Sequence, residues 1–585
     1  MKKLILAAII IFGYMLSGCQ DVLDTKPGNT YSEVDIYSNI DLTKRLVYYS
    51  YGATDTWGVN LSQWWTRIIN LECASDEAFF HFKQVRYKIF PETNGALTPS
   101  NLGLAFKNSW KTYYSYIRSC DEFLDKIDDA SVMNTDKDMA LRLKGEAQFL
   151  RAFCYTKLVR YYGGVPIIEK PFTLSDTLNI PRNSYEECID FIVTQLDEAA
   201  AVLPEYCSGD EFGRVDQRAA LALKARVLLY AASKLHDPST VPNGPLYDYS
   251  KSSKWQDASD AAKAVIDLPS NAEGLIQVAD YKEYKELFLA PNKNILFARP
   301  FNQDYATFSQ DIYTLPDQAQ SPIGFSGWGV SNPTQNFVDL FKMNNGKSIT
   351  DPTSGYDPSA ENIYKNRDMR FYADILYNGA EFRDRKIEFF RYGRDSKDIG
   401  DMAKHYCITG YNMRKFIDES IDFSTSMSPK RPYIMSRLAE IYLDYAEAEY
   451  HLGHEDIARQ YVSKVAERAH QPAITTSGEE LLEDIKNERA IELCYEGHRY
   501  FDLRRWMDTN HLGGDIRGIE WAYYKEDGSI AGIDPSTGEI EAGSTLKYTS
   551  IPKIENRPWK TAYYYLPIPQ GEITKANKLV QNYDY

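Results

Sequence analysis

After residue 16, this chain of 585 residues has no apolar stretch long enough to cross a bilayer, so its body is expected to contain no transmembrane helix. A basic patch is missing too. The 66 Lys and Arg are scattered among 82 Asp and Glu, for a net charge of −16, and this argues against a nucleic-acid partner, whose phosphates need concentrated positive charge. The Gly-rich pattern that cradles phosphates and ends in Lys-Ser or Lys-Thr does not occur. Cysteine is sparse, at eight residues. Beyond Cys19 these are Cys73, Cys120, Cys154, Cys188, Cys207, Cys407 and Cys494, an odd number with no Cys-x-x-Cys pair. Such cysteines read as small buried apolar residues rather than a disulfide framework or a metal site, with a Cys188–Cys207 bridge left open. No cofactor is implied.

What the chain does have is aromatic surface: 44 Tyr, 26 Phe and nine Trp. A tyrosine joins a flat apolar face to a hydroxyl, which suits both helix packing and sugar stacking. The start is equally informative. Lys2 and Lys3 precede an apolar run from Leu4 to Leu16, the pattern of a secretory leader and too short to span a membrane. Leu16-Ser17-Gly18-Cys19 then resembles the lipobox of bacterial lipoproteins, in which cleavage leaves a lipid-modified cysteine, here Cys19, at the new N-terminus. Asp21 and Asp24 resemble surface-export signals of lipoproteins from the Bacteroidota. A plain leader with an incidental Cys19 is the competing reading.

Helical periodicity dominates to about residue 270. Trp110, Tyr113, Ile117 and Leu124 share one face of a helix over 106–127. A helix over 141–162 should stop at Gly163-Gly164 and Pro166. Ser184 followed by Glu187 forms a capping box for the next, ending near Pro204. Helices over 217–235 and 255–268 complete the series. From about 270 to 430 the chain is richer in Gly, Pro, Asn and Asp, with short strand-like pieces such as Ile295–Ala298. Helices resume over 433–452, 455–469 and 480–495, and the chain after about 510 reads as loop-rich. Tyr442, Ala446, Ala458 and Val462, with Gly453 at the turn, match the large-and-small spacing of a tetratricopeptide helix pair.

Taken in order, these pieces resemble the SusD/RagB family of outer-membrane lipoproteins. The stretches carrying the resemblance are Cys19-Gln20-Asp21-Val22-Leu23-Asp24, Ala147–Phe153, Tyr161-Tyr162-Gly163-Gly164-Val165-Pro166 and Asn332–Asp339. Asn366-Arg367-Asp368-Met369-Arg370, Gly410-Tyr411, Lys415-Phe416, Arg437-Leu438-Ala439-Glu440 and Tyr445–Ala448 follow. The most diagnostic is Glu488-Arg489-Ala490-x-Glu492-Leu493 with Glu496-Gly497-x-Arg499, Asp502-Leu503 and Arg505-Trp506; Leu566-Pro567-Ile568-Pro569 and Gln581-Asn582 end the set. The resemblance implies a mostly α fold, a tetratricopeptide-like helical repeat scaffold with a loop-rich, mixed α/β ligand-binding lobe. It further implies a lid over a TonB-dependent (SusC-like) transporter that captures oligosaccharides, anchored in the membrane by lipid. The expected division is a signal peptide over 1–18, a tether over 19–35 and a helical-repeat part over 36–270 with an early ligand loop at 76–91. A variable lobe over 271–430, helical repeats over 431–510 and a loop-rich end over 511–585 complete it.

A catalytic role competes with this reading. Glu488, Glu492 and Glu496 lie on one helix face, whereas a glycosidase pair must oppose each other across the bond at about 5 Å or about 6.5–9.5 Å. Nearby Arg489, Arg499, Arg504 and Arg505 make ion pairing the expected role. His451 and His454 straddle a helix end rather than forming a metal pair, Gly324-Phe325-Ser326-Gly327 is no nucleophile elbow, and Asp527-Gly528-Ser529 reads as a turn. For ligand, flat aromatic faces in loops are the candidates. Phe80, His81 and Tyr87 come from the early loop, and Tyr305, Tyr313 and Trp328 from 300–328. Trp64 and Trp65, in a helix-like run, should pack. Rival readings are a peptide-capturing lipoprotein, a surface glycoside hydrolase and a lid with no ligand of its own.

Overall fold

A computed structural model describes residues 31–54, 71–81, 87–173, 175–176, 179–301, 316–396, 398, 407–421, 431–534 and 538–585. The helices that build the scaffold are α1 (Ile40–Ser50), α2 (Ser109–Ile127), α3 (Lys137–Tyr162), α4 (Tyr185–Val202), α5 (Gln217–Ala232) and α6 (Lys254–Ile266), then α7 (Leu438–His451), α8 (Glu455–Arg468) and α9 (Glu479–Glu492). From α2 to α8 each packs on the next in chain order, and α9 closes on α7 and α8. The array is continuous across the long excursion between α6 and α7: Trp255 stacks on His451 at 3.8 Å, and Ser259 hydrogen-bonds Glu449.

The local causes are those the sequence carries. Ser184 Oγ accepts from the Glu187 N–H at 3.1 Å while Glu187 accepts from the Ser184 N–H at 2.8 Å, the reciprocal cap that starts α4. Gly163 ends α3 with a φ of +75°, a conformation that penalises any Cβ. The α7–α8 crossing buries Ala446, Ala458 and Val462 completely, so the two backbones approach closely. Helix α3 is buried around nearly its whole girth from Gly145 to Tyr162, because α2 and α4 flank it. Its interior charges are matched: Arg151 bonds Asp121 at 2.8 Å, and Glu146 pairs with Arg142 and Arg214.

The strands form five two-stranded antiparallel ladders among the described residues. They are β1 (Ala78–Phe80) with β3 (Ser331–Pro333), β2 (Ile295–Phe301) with β8 (Arg431–Arg437), β4 (Ile375–Leu376) with β7 (Asn412–Met413), β5 (Glu381–Phe382) with β6 (Arg385–Lys386), and β9 (Gly514–Tyr524) with β10 (Thr545–Arg557). Two expectations change. Residues 433–437, read as the start of a helix, are strand, because β2 offers them a pairing edge; the helix begins only at Leu438. The C-terminal stretch read as loop contains the longest ladder. Its polar, largely exposed β10 carries Pro552 inside a register shift between Ile551 and Glu555, the composition that disguises a strand.

All seven cysteines from Cys73 to Cys494 are buried. Cys188 contacts the Val165 backbone and Cys207 the Arg142 guanidinium, so the Cys188–Cys207 bridge left open by the sequence is not formed. His451 ends α7 and His454 precedes α8, bonded to Glu449 at 2.7 Å, and Asp527 accepts from the Ser529 N–H in a turn.

Candidate functional site

The two expected ligand stretches leave one ladder. Phe80 pairs with Ser331, Phe79 with Asn332 and Ala78 with Pro333, so the early loop departs from the end of β1 beside the point where the 300–328 stretch enters β3. A third aromatic stretch joins them: the Arg299 guanidinium donates to the Thr54 carbonyl at 3.4 Å, and the Ser331 hydroxyl donates to Glu72 at 3.1 Å. The stretch that begins after Thr54 therefore starts beside β2, at Arg299, and the chain after it returns beside β3, at Ser331, the strand that also holds the root of the stretch after His81.

The frame beneath is charged and buried. Arg499 grips Asp76 with two hydrogen bonds of 2.9 and 2.8 Å, and Arg557 donates to the Ser75 and Ala78 carbonyls. The Thr334 hydroxyl donates to the Asp76 carbonyl, and the Thr334 N–H to the Glu77 carbonyl at 3.1 Å. Part of the sequence that carries the resemblance, Asn332-Pro333-Thr334 and Arg499, thus holds the root of the early loop. Arg557 and Glu555 had no signal in the sequence, since β10 read as loop.

Glu77 lies fully inside this frame, accepting from the Tyr495 N–H at 3.0 Å and from the Ser75 hydroxyl at 3.2 Å. Burial pushes the Glu77 carboxyl up to about 8, opposed by the Tyr495 N–H and reinforced by Glu72 and Asp76. A carboxyl whose folded pKa is raised above its unfolded value of 4.5 supports the fold fully below that value, and the support is lost as pH rises towards 8. Glu77→Gln keeps the shape and the acceptor but removes the titration. Its stability relative to the parent, measured by urea denaturation, is expected to improve steadily between about pH 4.5 and pH 8. A difference that stays constant over that range sinks the assignment.

The expected ligand residues separate into three groups. Cys19, Tyr305 and Tyr313 lie outside the described residues, as do Trp57, Trp64 and Trp65. Phe80 and His81 are 2% and 4% exposed, their rings 5.7 Å apart, so in this structure neither offers an open face to solvent. All three residues of β1 are buried, and the β1–β3 ladder that places Phe80 in the core was not revealed by the sequence. Tyr87 and Trp328 are half-buried at the rim. Tyr87 donates to Glu555 at 2.8 Å, and the Trp328 N–H donates to the Gln318 carbonyl at 2.9 Å. Beside Trp328, Phe325 packs edge-on against Phe382 at 4.9 Å with the Arg385 guanidinium 3.9 Å over its ring.

The three glutamates at four-residue spacing are committed to cations. Glu492 is fully buried and accepts from Arg370 at 3.1 Å, Arg437 at 2.5 Å and Arg468. Glu488 pairs with Arg370, and Glu496 with Arg437 at 2.7 Å and Lys415 at 2.8 Å. Their partners are distant in sequence. The local arginines are used elsewhere: Arg489 on Asp444 and Asp502, Arg505 on Asp502 and Glu447, and Arg504 on the Tyr500 and Tyr563 carbonyls. Among the described residues no group of three or more His, Cys, Asp or Glu is placed to hold a metal ion, and no helix is long and apolar enough to cross a membrane.

A scaffold of helices packed in chain order from α2 to α8, closed by α9, defines a tetratricopeptide-like helical fold. The chain belongs to the SusD family, whose pattern matches residues 293–585. A second pattern, described as "Starch-binding associating with outer membrane", matches residues 23–229. SusD-like protein P38 of Formosa agariphila is 23% identical over 542 residues, covering 87% of this chain and 92% of that one. A SusD-like protein of Bacteroides fragilis superposes with a TM-score of 0.74 at 26% identity, over 95% of this chain and 99% of that one. A SusD-like carbohydrate-binding protein of the same species gives 0.71 at 26% identity, over 93% and 100%.

Proposed function

We propose that this protein is a surface-exposed, lipid-anchored receptor that captures oligosaccharides and passes them, without chemistry, to a TonB-dependent transporter of the SusC-like kind. The observation that carries this reading is the gathering of the aromatic loop roots on the β1–β3 ladder and the Arg299–Thr54 contact. Stacking faces on neighbouring loops suit pyranose rings, and the rim supplies polar groups for the hydroxyls. Tyr305, Tyr313 and Trp328 supply the stacking faces, Tyr87 the rim, and Phe80 and His81 back the loop from the core. The carbohydrate-binding relative and the outer-membrane wording of the matching family pattern support the same assignment. Cys19 is the acylated residue. The non-catalytic role is supported by Glu488, Glu492 and Glu496, whose carboxylates are committed to buried cations.

The test is calorimetric titration of the purified protein with plant, microbial and host oligosaccharides, followed by product analysis. Saturable binding of one glycan class with the glycan recovered intact is expected. Trp328→Ala and Tyr313→Ala should each weaken binding about tenfold, the loss of one stacking face being worth about 1 kcal/mol or more, with the helical circular-dichroism signal retained. Cleavage that a single Asp or Glu substitution abolishes would replace this reading with a glycoside hydrolase. Binding of peptides alone would replace the ligand class.

A further inference from the structure

The helical scaffold carries an open aromatic cleft of its own. It has a volume of about 500 Å³ and lies between the end of α1, residues 212–214 and the last residues of β2. Tyr48 and Tyr49 of α1 line it, and they are 44% and 62% exposed. Adjacent exposed rings in a concavity, unlike single ones scattered over a surface, mark a place where something binds.

Neighbours hold these rings in position. Tyr49 packs on Tyr116 with ring centres 5.6 Å apart, and the Arg214 guanidinium lies 5.6 Å from the centre of the Tyr48 ring. Tyr51 is wall rather than platform, because its hydroxyl donates to Glu146 at 3.0 Å and accepts from the Val215 N–H at 3.0 Å. Opposite, a Cβ on Gly213 would come within 2.3 Å of the Pro300 ring, so residues 212–214 press directly on β2.

The lining selects among ligands. Half-buried Arg214 and Arg299 stand in the same cleft as the tyrosines. Arg214 is already paired with Glu146 and Glu211, so its charge needs no anion from a ligand. A purely apolar ligand would cover the guanidiniums without answering them. A pyranose ring has a flat C–H face to lay on tyrosine and a girdle of neutral hydroxyls to meet polar groups beside it. Position ties the cleft to the capture of glycans. Thr54 and Pro300 both line it, and the stretch that carries Tyr305 and Tyr313 leaves the described chain at Phe301, directly after Pro300.

We infer that Tyr48 and Tyr49 form a further glycan subsite on the scaffold, holding one end of an oligosaccharide whose other units lie on the rim loops. This rests on the proposed glycan-capturing role and narrows its ligand to chains of several pyranose units, rather than mono- or disaccharides.

The test is calorimetric titration of the purified protein with the hexasaccharide and the disaccharide of the malto-, cello-, laminari-, xylo- and manno-oligosaccharide series. The parent is expected to bind the hexasaccharide of at least one series about tenfold or more tightly than its disaccharide. Tyr48→Ala and Tyr49→Ala together should remove that advantage, while affinity for the disaccharide changes about twofold or less. Both side chains are exposed, so the melting temperature should stay near that of the parent, and the two single variants guard against the double one failing to fold. Parent-like hexasaccharide affinity in the folded variants overturns the inference and leaves the capture role standing. Equal affinity of the parent for the two lengths does the same. A parent that binds none of these sugars overturns the inference and, if the wider glycan panel is silent too, the capture role with it.

Discussion

Replacing Glu492 by alanine is expected to destabilise the protein by about 3–5 kcal/mol, the typical cost of removing one partner from a buried ion pair. Arg370, Arg437 and Arg468 converge on this one carboxylate, and all four side chains are buried. Burial alone would raise the Glu492 pKa, but Arg468, Arg437, Arg370 and Lys415 outweigh it and hold the carboxyl well below its usual value. A depressed carboxyl contributes its stability above the unfolded value of 4.5, and the contribution is lost as pH falls through the folded pKa. The gap between parent and Glu492→Ala should therefore be widest at neutral pH and close in acid. Glu483→Ala is the control. Glu483 is 70% exposed and pairs only along its own helix with Lys486, so about 0.5 kcal/mol or less is expected. Urea denaturation at pH 7 measures both, and similar small losses for the two variants would show that the buried network is not what holds α9 in place.

Gly327→Ala should damage ligand capture more than any conservative change on the rim itself. A Cβ at residue 327 would overlap the Ser321 carbonyl oxygen, which is backbone and cannot rotate away. Around it the chain is tightly folded: the Gly327 N–H donates to Pro322, the Gly329 N–H to Ser321 and the Val330 N–H to Ala319, at 2.9–3.1 Å. Opening that turn displaces Trp328 and the adjoining entry to β3. Overpacking of this kind typically costs about 1–3 kcal/mol. Glycan affinity is expected to fall at least tenfold, while far-ultraviolet circular dichroism keeps its helical signal because the scaffold helices are untouched. Parent-like affinity in a folded Gly327→Ala protein would remove the 317–330 turn from the site.

Local pattern made much of the scaffold legible. The capping box at Ser184 and the helix stop at Gly163 act within a few residues, and both are formed as their spacing predicts. The small residues of the α7–α8 crossing work in the same way, through helical periodicity. The ionic role of Glu488, Glu492 and Glu496 was also readable, although α9 ends at Glu492, so Glu496 lies beyond the helix rather than on the same face as expected. Their partners were not. The candidate site was legible as a set of aromatic loops, but the ladder that joins their roots pairs residues more than 250 positions apart, and it buries Phe80 rather than presenting it.

The sequence by itself determined most helices of the scaffold and the Ser184 cap, because each rests on residues one to four positions apart whose side chains meet within a single turn, and the family resemblance through short stretches in a fixed order. Only the tertiary structure decided which cation answers which carboxylate, that residues 431–437 and 545–557 are strands, and that the early loop and the end of the 300–328 stretch meet at one ladder. Those outcomes depend on what the folded chain brings alongside: a strand needs an edge to pair with, and a buried charge takes whichever opposite charge the packing places within hydrogen-bond reach.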